Sequence, residues 1–156
     1  MRQTFVRRSI LGFGLGGAAG AALLAFAPKT YAATTQFKAD LKASSEVPPN
    51  QTTGTGTVTA TFDPATKQLT WNGSYSGLTG PVTAAHIHGP AEVGKNAGVV
   101  IWISDHDTKA HPFPSPFQGS ATLTDAQAND LVAGLYYVNI HTAANPGGEL
   151  RGQLMK

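Results

Sequence analysis

Three histidines stand out by type and spacing. "HIH" sets His86 and His88 one residue apart, and "NIHT" further along supplies His141, in a chain with five histidines and no cysteine. In an extended strand, residues i and i+2 project from the same face with Cβ atoms roughly 7 Å apart, so two imidazoles at this spacing can reach one ion. Neutral imidazole suits Zn²⁺ and Cu²⁺, with copper favoured by raw affinity. The spacing predicts one copper (or zinc) ion held by His86, His88 and His141. His106 or His111, from the loop after "VVIWIS", could add a ligand. Asp105 and Asp107 in that loop could ligate as well, or orient an imidazole through a hydrogen bond. The opposing reading is that the three histidines bond to backbone and merely finish a polar sheet face.

Other chemistries find less support. The absence of cysteine excludes thiolate metal sites and cysteine nucleophiles. No G-x-S-x-G elbow presents a serine nucleophile. The glycines of "GPAEVGKNAG" lack the G-K-[ST] ending of a phosphate loop and read as a turn between strands. Asp105 and Asp107 sit in a polar loop, where solvated charge is the ordinary state of a carboxylate.

The elements that must position these histidines are strands. From Gln36 onward, short alternating runs are separated by turn chemistry, which predicts an all-β domain. "QFKADLKAS" sets Phe37, Ala39 and Leu41 against Lys38, Asp40 and Lys42. "TVTATF", "QLTWNGSYS", "PVTAAHIH", "GVVIWIS", "FQGSATL", "LYYVNIH" and "ELRGQL" bring the total to about eight strands. That number in a chain of this length predicts an all-β antiparallel fold, a β-sandwich or a Greek-key barrel. In "LYYVNIHT" the alternation puts Tyr137, Asn139 and His141 on one face and Tyr136, Val138 and Ile140 on the other. His86 and His88 likewise oppose Ala85 and Ile87, so all three histidines are expected away from the core. One segment breaks the period: "TDAQANDLVAG" opens with Thr124 and Gln127 as a capping box and closes at Gly134, predicting one short helix. "HPFPSPF" reads as an extended surface loop.

Residues 1–33 form a separate segment in this reading. Arg2, Arg7 and Arg8 precede an apolar, Gly/Ala-rich stretch and then small residues, the layout of an export signal. Arg7-Arg8 followed by Ser-Ile-Leu resembles the twin-arginine signal, which is read by a receptor and is not an anchor. Cleavage after Ala32 or Ala33 would leave 34–156 as one domain, periplasmic or secreted, with no membrane span. Of the 11 Lys and Arg residues, four precede Ala33 and none of the 9 Asp and Glu do, so the remainder carries a formal charge of −2. The basic character of the whole chain thus resides in its leader and does not predict a nucleic-acid partner.

The runs "HIHGPAEVGKNAGVVIWI" and "TLTDAQANDLVAGLYYVNIHTAANPGGELRGQL" resemble the CHRD domain, a module named from chordin and found also in exported bacterial proteins. The resemblance rests most on His86-Ile-His88-Gly, on Tyr137-Val-Asn-Ile-His141-Thr and on the stretch from Asn145 to Gln153. It implies an immunoglobulin-like or related β-fold and carries no fixed chemistry. A fainter likeness concerns the site. Cu/Zn superoxide dismutases are β-sandwiches with an H-x-H pair and a later histidine at copper, and a Gly-Gly-Arg type of turn. That likeness implies a copper site here, with Arg151 attracting an anion, although the disulfide and the zinc loop are missing. The functional expectation is copper handling or redox chemistry such as superoxide dismutation. The alternative is a metal-free structural or protein-interaction module of the cell envelope, its protein partner unknown.

Overall fold

Every alternating run becomes a strand. The computed structural model describes residues 33–104 and 113–156. The expected export signal therefore lies outside the described residues except for Ala33, as do Asp105, His106, Asp107 and His111. The strands are β1 (Thr35–Lys42), β2 (Thr55–Asp63), β3 (Gln68–Ser76), β4 (Val82–His88), β5 (Val99–Trp102), β6 (Phe117–Thr122), β7 (Tyr137–Thr142) and β8 (Leu150–Gln153). One helix, α1 (Asp125–Val132), lies between β6 and β7, and a short 3-10 turn spans Ala43–Ser45.

All strand pairs are antiparallel, and hydrogen bonds join the eight into one nearly closed sheet in the order β5-β4-β7-β8-β1-β2-β3-β6. The two halves, β5-β4-β7-β8 and β1-β2-β3-β6, meet at a narrow seam. There Lys42 stands opposite Arg151, and an isolated bridge links Lys38 to Met155. The expected β-fold of eight strands and one helix is what the chain adopts.

Period-two alternation sends one set of side chains from each half into a single apolar cluster. Phe37, Ala39 and Leu41 come from β1, Val58, Ala60 and Phe62 from β2, and Leu69 and Trp71 from β3. Ala85 and Ile87 of β4, Val138 and Ile140 of β7 and Leu150 of β8 complete it from the other half. Burial of a Leu, Ile, Val or Phe side chain stabilises by roughly 1.5–3 kcal/mol, so this cluster supplies the fold's main driving force in place of disulfides. The helix forms where the sequence marks it. Thr124 Oγ1 accepts from the Gln127 backbone N–H at 3.2 Å, and Gln127 Oε1 accepts from the Thr124 N–H at 2.9 Å. Gly134, at φ 76°, ends it in the left-handed region.

The candidate histidines lie on the opposite face of the sheet, where β4, β7 and β8 are three adjacent strands. His86 stands opposite Asn139, and Asn139 opposite Arg151. The next rows pair His88 with Tyr137 and Ala84 with His141. An outward sheet face would normally be wet. Here the connections before β2, β5 and β8 fold over it, leaving His86, Tyr137, Asn139 and Arg151 buried.

Candidate metal centre

Alternation puts the three imidazoles on one face, and strand pairing brings them together. One ligand nitrogen from each of His86, His88 and His141 lies within 4.8 Å of the other two, so the group could hold a metal ion. His86 Nδ1 and His141 Nε2 are only 3.1 Å apart. Nitrogens bound about 2 Å from one ion stand ~3.3 Å apart in a tetrahedral arrangement and ~4 Å at most. One pair is already at ligand spacing, and an ion would draw the set inward by a small side-chain adjustment.

Backbone carbonyls fix two of the rings. His88 Nδ1 lies 3.1 Å from the Ala97 carbonyl oxygen, and His141 Nδ1 lies 3.0 Å from that of Pro146. A carbonyl can only accept, so in each neutral ring Nδ1 carries the proton and Nε2 keeps its lone pair. This is the arrangement by which outer hydrogen bonds orient metal-binding histidines. His141 Nε2 points at His86. His88 Nε2 is buried with no hydrogen-bond partner among the described residues, as a nitrogen awaiting a ligand would be. Burial, above all, holds the His88 imidazole below its usual pKa of 6.5, and the nearby His141 and Arg151 push the same way. Burial likewise lowers His141, against the opposing pull of the Pro146 carbonyl. Both rings therefore stay neutral, the form that ligates, to lower pH than a free imidazole.

Aromatic rings frame the cluster. Trp102 meets His86 edge-on at 4.2 Å between centroids, and Tyr137 stacks on His88 at 4.9 Å with the planes 5° apart. The Arg151 guanidinium carbon sits 3.5 Å from the centre of the Tyr137 ring. Tyr137 belongs to the strand between those of His88 and Arg151, so it separates the cation from the imidazole. Arg151, expected to attract an anion, lies on this same sheet face beneath the loop before β5. It is 2% exposed, and it donates through Nη1 to Asn96 Oδ1 at 2.8 Å and through Nη2 to the Lys95 carbonyl.

Comparison with known families matches the chain to the CHRD domain over residues 37–154. The chain belongs to the CHRD domain family. No curated protein matches it, and no solved structure does. The matched residues of this CHRD domain include all three histidines and both loops that orient them.

Sequence reasoning brought His86, His88 and His141 together correctly in phase and missed most of what surrounds them. The orienting groups of Ala97 and Pro146 are backbone carbonyls, which side-chain identity does not reveal. Tyr137 was visible in principle, since it shares phase with His141. Glu46 lies in the β1–β2 connection, far from any motif, yet its Oε1 accepts from Asn139 Nδ2 at 2.6 Å beside the site. His106 and His111, the candidates for a further ligand, lie outside the described residues.

Proposed function

We propose that this is an exported CHRD-domain protein that binds one copper ion, or zinc in its place, through His86, His88 and His141. Its role in this reading is copper handling, or redox chemistry such as superoxide dismutation. The observation that carries the proposal is the shared direction of the imidazoles. Two have their Nδ1 protons committed to loop carbonyls, which leaves Nε2 lone pairs for an ion. The preference for copper comes from the affinity order of nitrogen donors, and the export from the amino-terminal Arg7-Arg8 and apolar stretch. Among the described residues no helix is long and apolar enough to cross a membrane.

An ion bound here with a vacant position would supply one-electron redox chemistry or Lewis acidity. The chain's own part is to hold three imidazoles together, shield them with Tyr137 and Trp102, and keep the tautomers of His88 and His141 fixed. Metal analysis of the purified domain after exposure to Cu²⁺ and desalting tests the reading. About one equivalent is expected, falling below roughly a tenth in the double variant His86→Ala with His141→Ala. Retention of less than a tenth by the unaltered protein, with either Cu²⁺ or Zn²⁺, would instead favour the metal-free envelope module. A superoxide assay on the loaded protein then separates enzyme from carrier.

A further inference from the structure

Two buried charges on one short segment, Glu149 and Arg151, each lock a different loop, and each loop's carbonyl orients a different histidine. We infer that Glu149-Leu150-Arg151 is a two-armed positioning frame. Glu149 sets the tautomer of His141, and Arg151 sets that of His88. The inference rests on the three-histidine reading only for its effect on metal affinity.

The Glu149 arm is fully traceable. Glu149 is 0% exposed. Its Oε2 accepts from Thr142 Oγ1 at 2.6 Å, from Thr79 Oγ1 at 2.7 Å and from Asn145 Nδ2 at 3.2 Å. Its Oε1 accepts from the Thr79 backbone N–H at 2.8 Å. The carboxylate thus ties the last residue of β7 to Asn145, whose neighbour Pro146 offers the carbonyl to His141 Nδ1. The turn is closed from within by the Asn145 N–H on the Thr142 carbonyl and the Gly148 N–H on the Asn145 carbonyl, both 3.1 Å. A buried anion with this many donors is too costly to rearrange, so the Pro146 carbonyl is held in place.

The Arg151 arm runs the other way. Nη1 and Nη2 bind Asn96 and Lys95, the two residues before Ala97, whose carbonyl faces His88 Nδ1. Asn96 Nδ2 donates in turn to the Val47 carbonyl at 3.0 Å, and the Ala97 N–H donates to Tyr137 Oη at 3.1 Å. The guanidinium also packs on Tyr137, whose other face supports the His88 ring. Planar donors in a fixed fork suit this task, whereas a lysine would offer one rotating ammonium. Residues 149 and 151 share a face by alternation, and their opposite charges serve loops at opposite ends of β7.

The frame is tested on the metal-free protein by ¹⁵N imidazole spectra at mildly alkaline pH, which report the ring nitrogen carrying each proton. Glu149→Gln should release His141 from its Nδ1–H tautomer and leave His88 unchanged, and Arg151→Lys should do the reverse. Asn145→Ala and Asn96→Ala remove one link of each arm at partly or fully exposed positions, and they decide the matter if the buried variants do not fold. Copper or zinc affinity should fall about 10–100-fold in each variant, the usual consequence of losing an orienting partner. Unchanged tautomers in folded variants, or both rings shifting together in either one, would overturn the frame. Failure of the unaltered protein to bind metal would count against the proposed function and leave the tautomer result to stand for itself.

Discussion

Glu46 keeps its proton to unusually high pH. Burial raises its carboxyl from 4.5 to about 7, outweighing the attraction of Arg151 and the hydrogen bond from Asn139. The unfolded chain releases this proton near 4.5, so between that value and about 7 the folded state binds more protons than the unfolded one. Stability from this residue is therefore present in full below 4.5 and is lost as pH rises towards 7, levelling off above it. Glu46→Gln, which imitates the protonated form, should abolish that slope. It should also raise the melting temperature above pH 7 relative to the unaltered protein, as thermal unfolding across pH 4–8 would show. A variant that melts lower at every pH would mean that the carboxylate, and not the acid, is the form the site wants.

At the scale of elements, strands and connections differ in how much the sequence discloses. Phe37, Ala39 and Leu41 face inward and Lys38, Asp40 and Lys42 outward because a pleated strand has a strict period of two, which a reader of the sequence can apply directly. The helix was equally legible from Thr124, Gln127 and Gly134, each of which has a local geometric reason to be there. The connections obey no period. That Ala97 and Pro146 would turn their carbonyls onto histidines, or that Glu46 would reach Asn139, depends on contacts some 40 to 90 residues apart or on loop closure, and composition carries neither. Gly148 shows what those connections demand. Its φ is 131°, and a Cβ there would stand 2.5 Å from Asn139 Nδ2 and 2.6 Å from Glu46 Oε1. Gly148→Ala therefore meets backbone strain and a collision with a buried polar pair at once. It should cost about 1–3 kcal/mol in chemical denaturation, in the range of other overpacked or strained sites. By contrast Gly147, with open space around it, should accept alanine with far smaller loss.

For the whole molecule, an ion bound only by the folded state must stabilise the fold. At a free concentration one hundred times its dissociation constant the gain is about 2.7 kcal/mol. In a domain of this size that raises the melting temperature by on the order of 10 °C. Differential scanning calorimetry with and without Cu²⁺ should show the shift, and the double variant His86→Ala with His141→Ala should lose it while keeping its metal-free melting point within a few degrees. The sheet order also governs how the chain reaches this state. β1 and β8 are neighbours in the middle of the sheet, with Lys42 paired to Arg151 more than a hundred residues later. On a ribosome, β1, β2 and β3 can form a meander as they emerge, but its open edge waits until β8 has been made. Closing so long a loop is entropically slow, so the domain belongs among late, slow folders that complete themselves only after synthesis has passed Gln153.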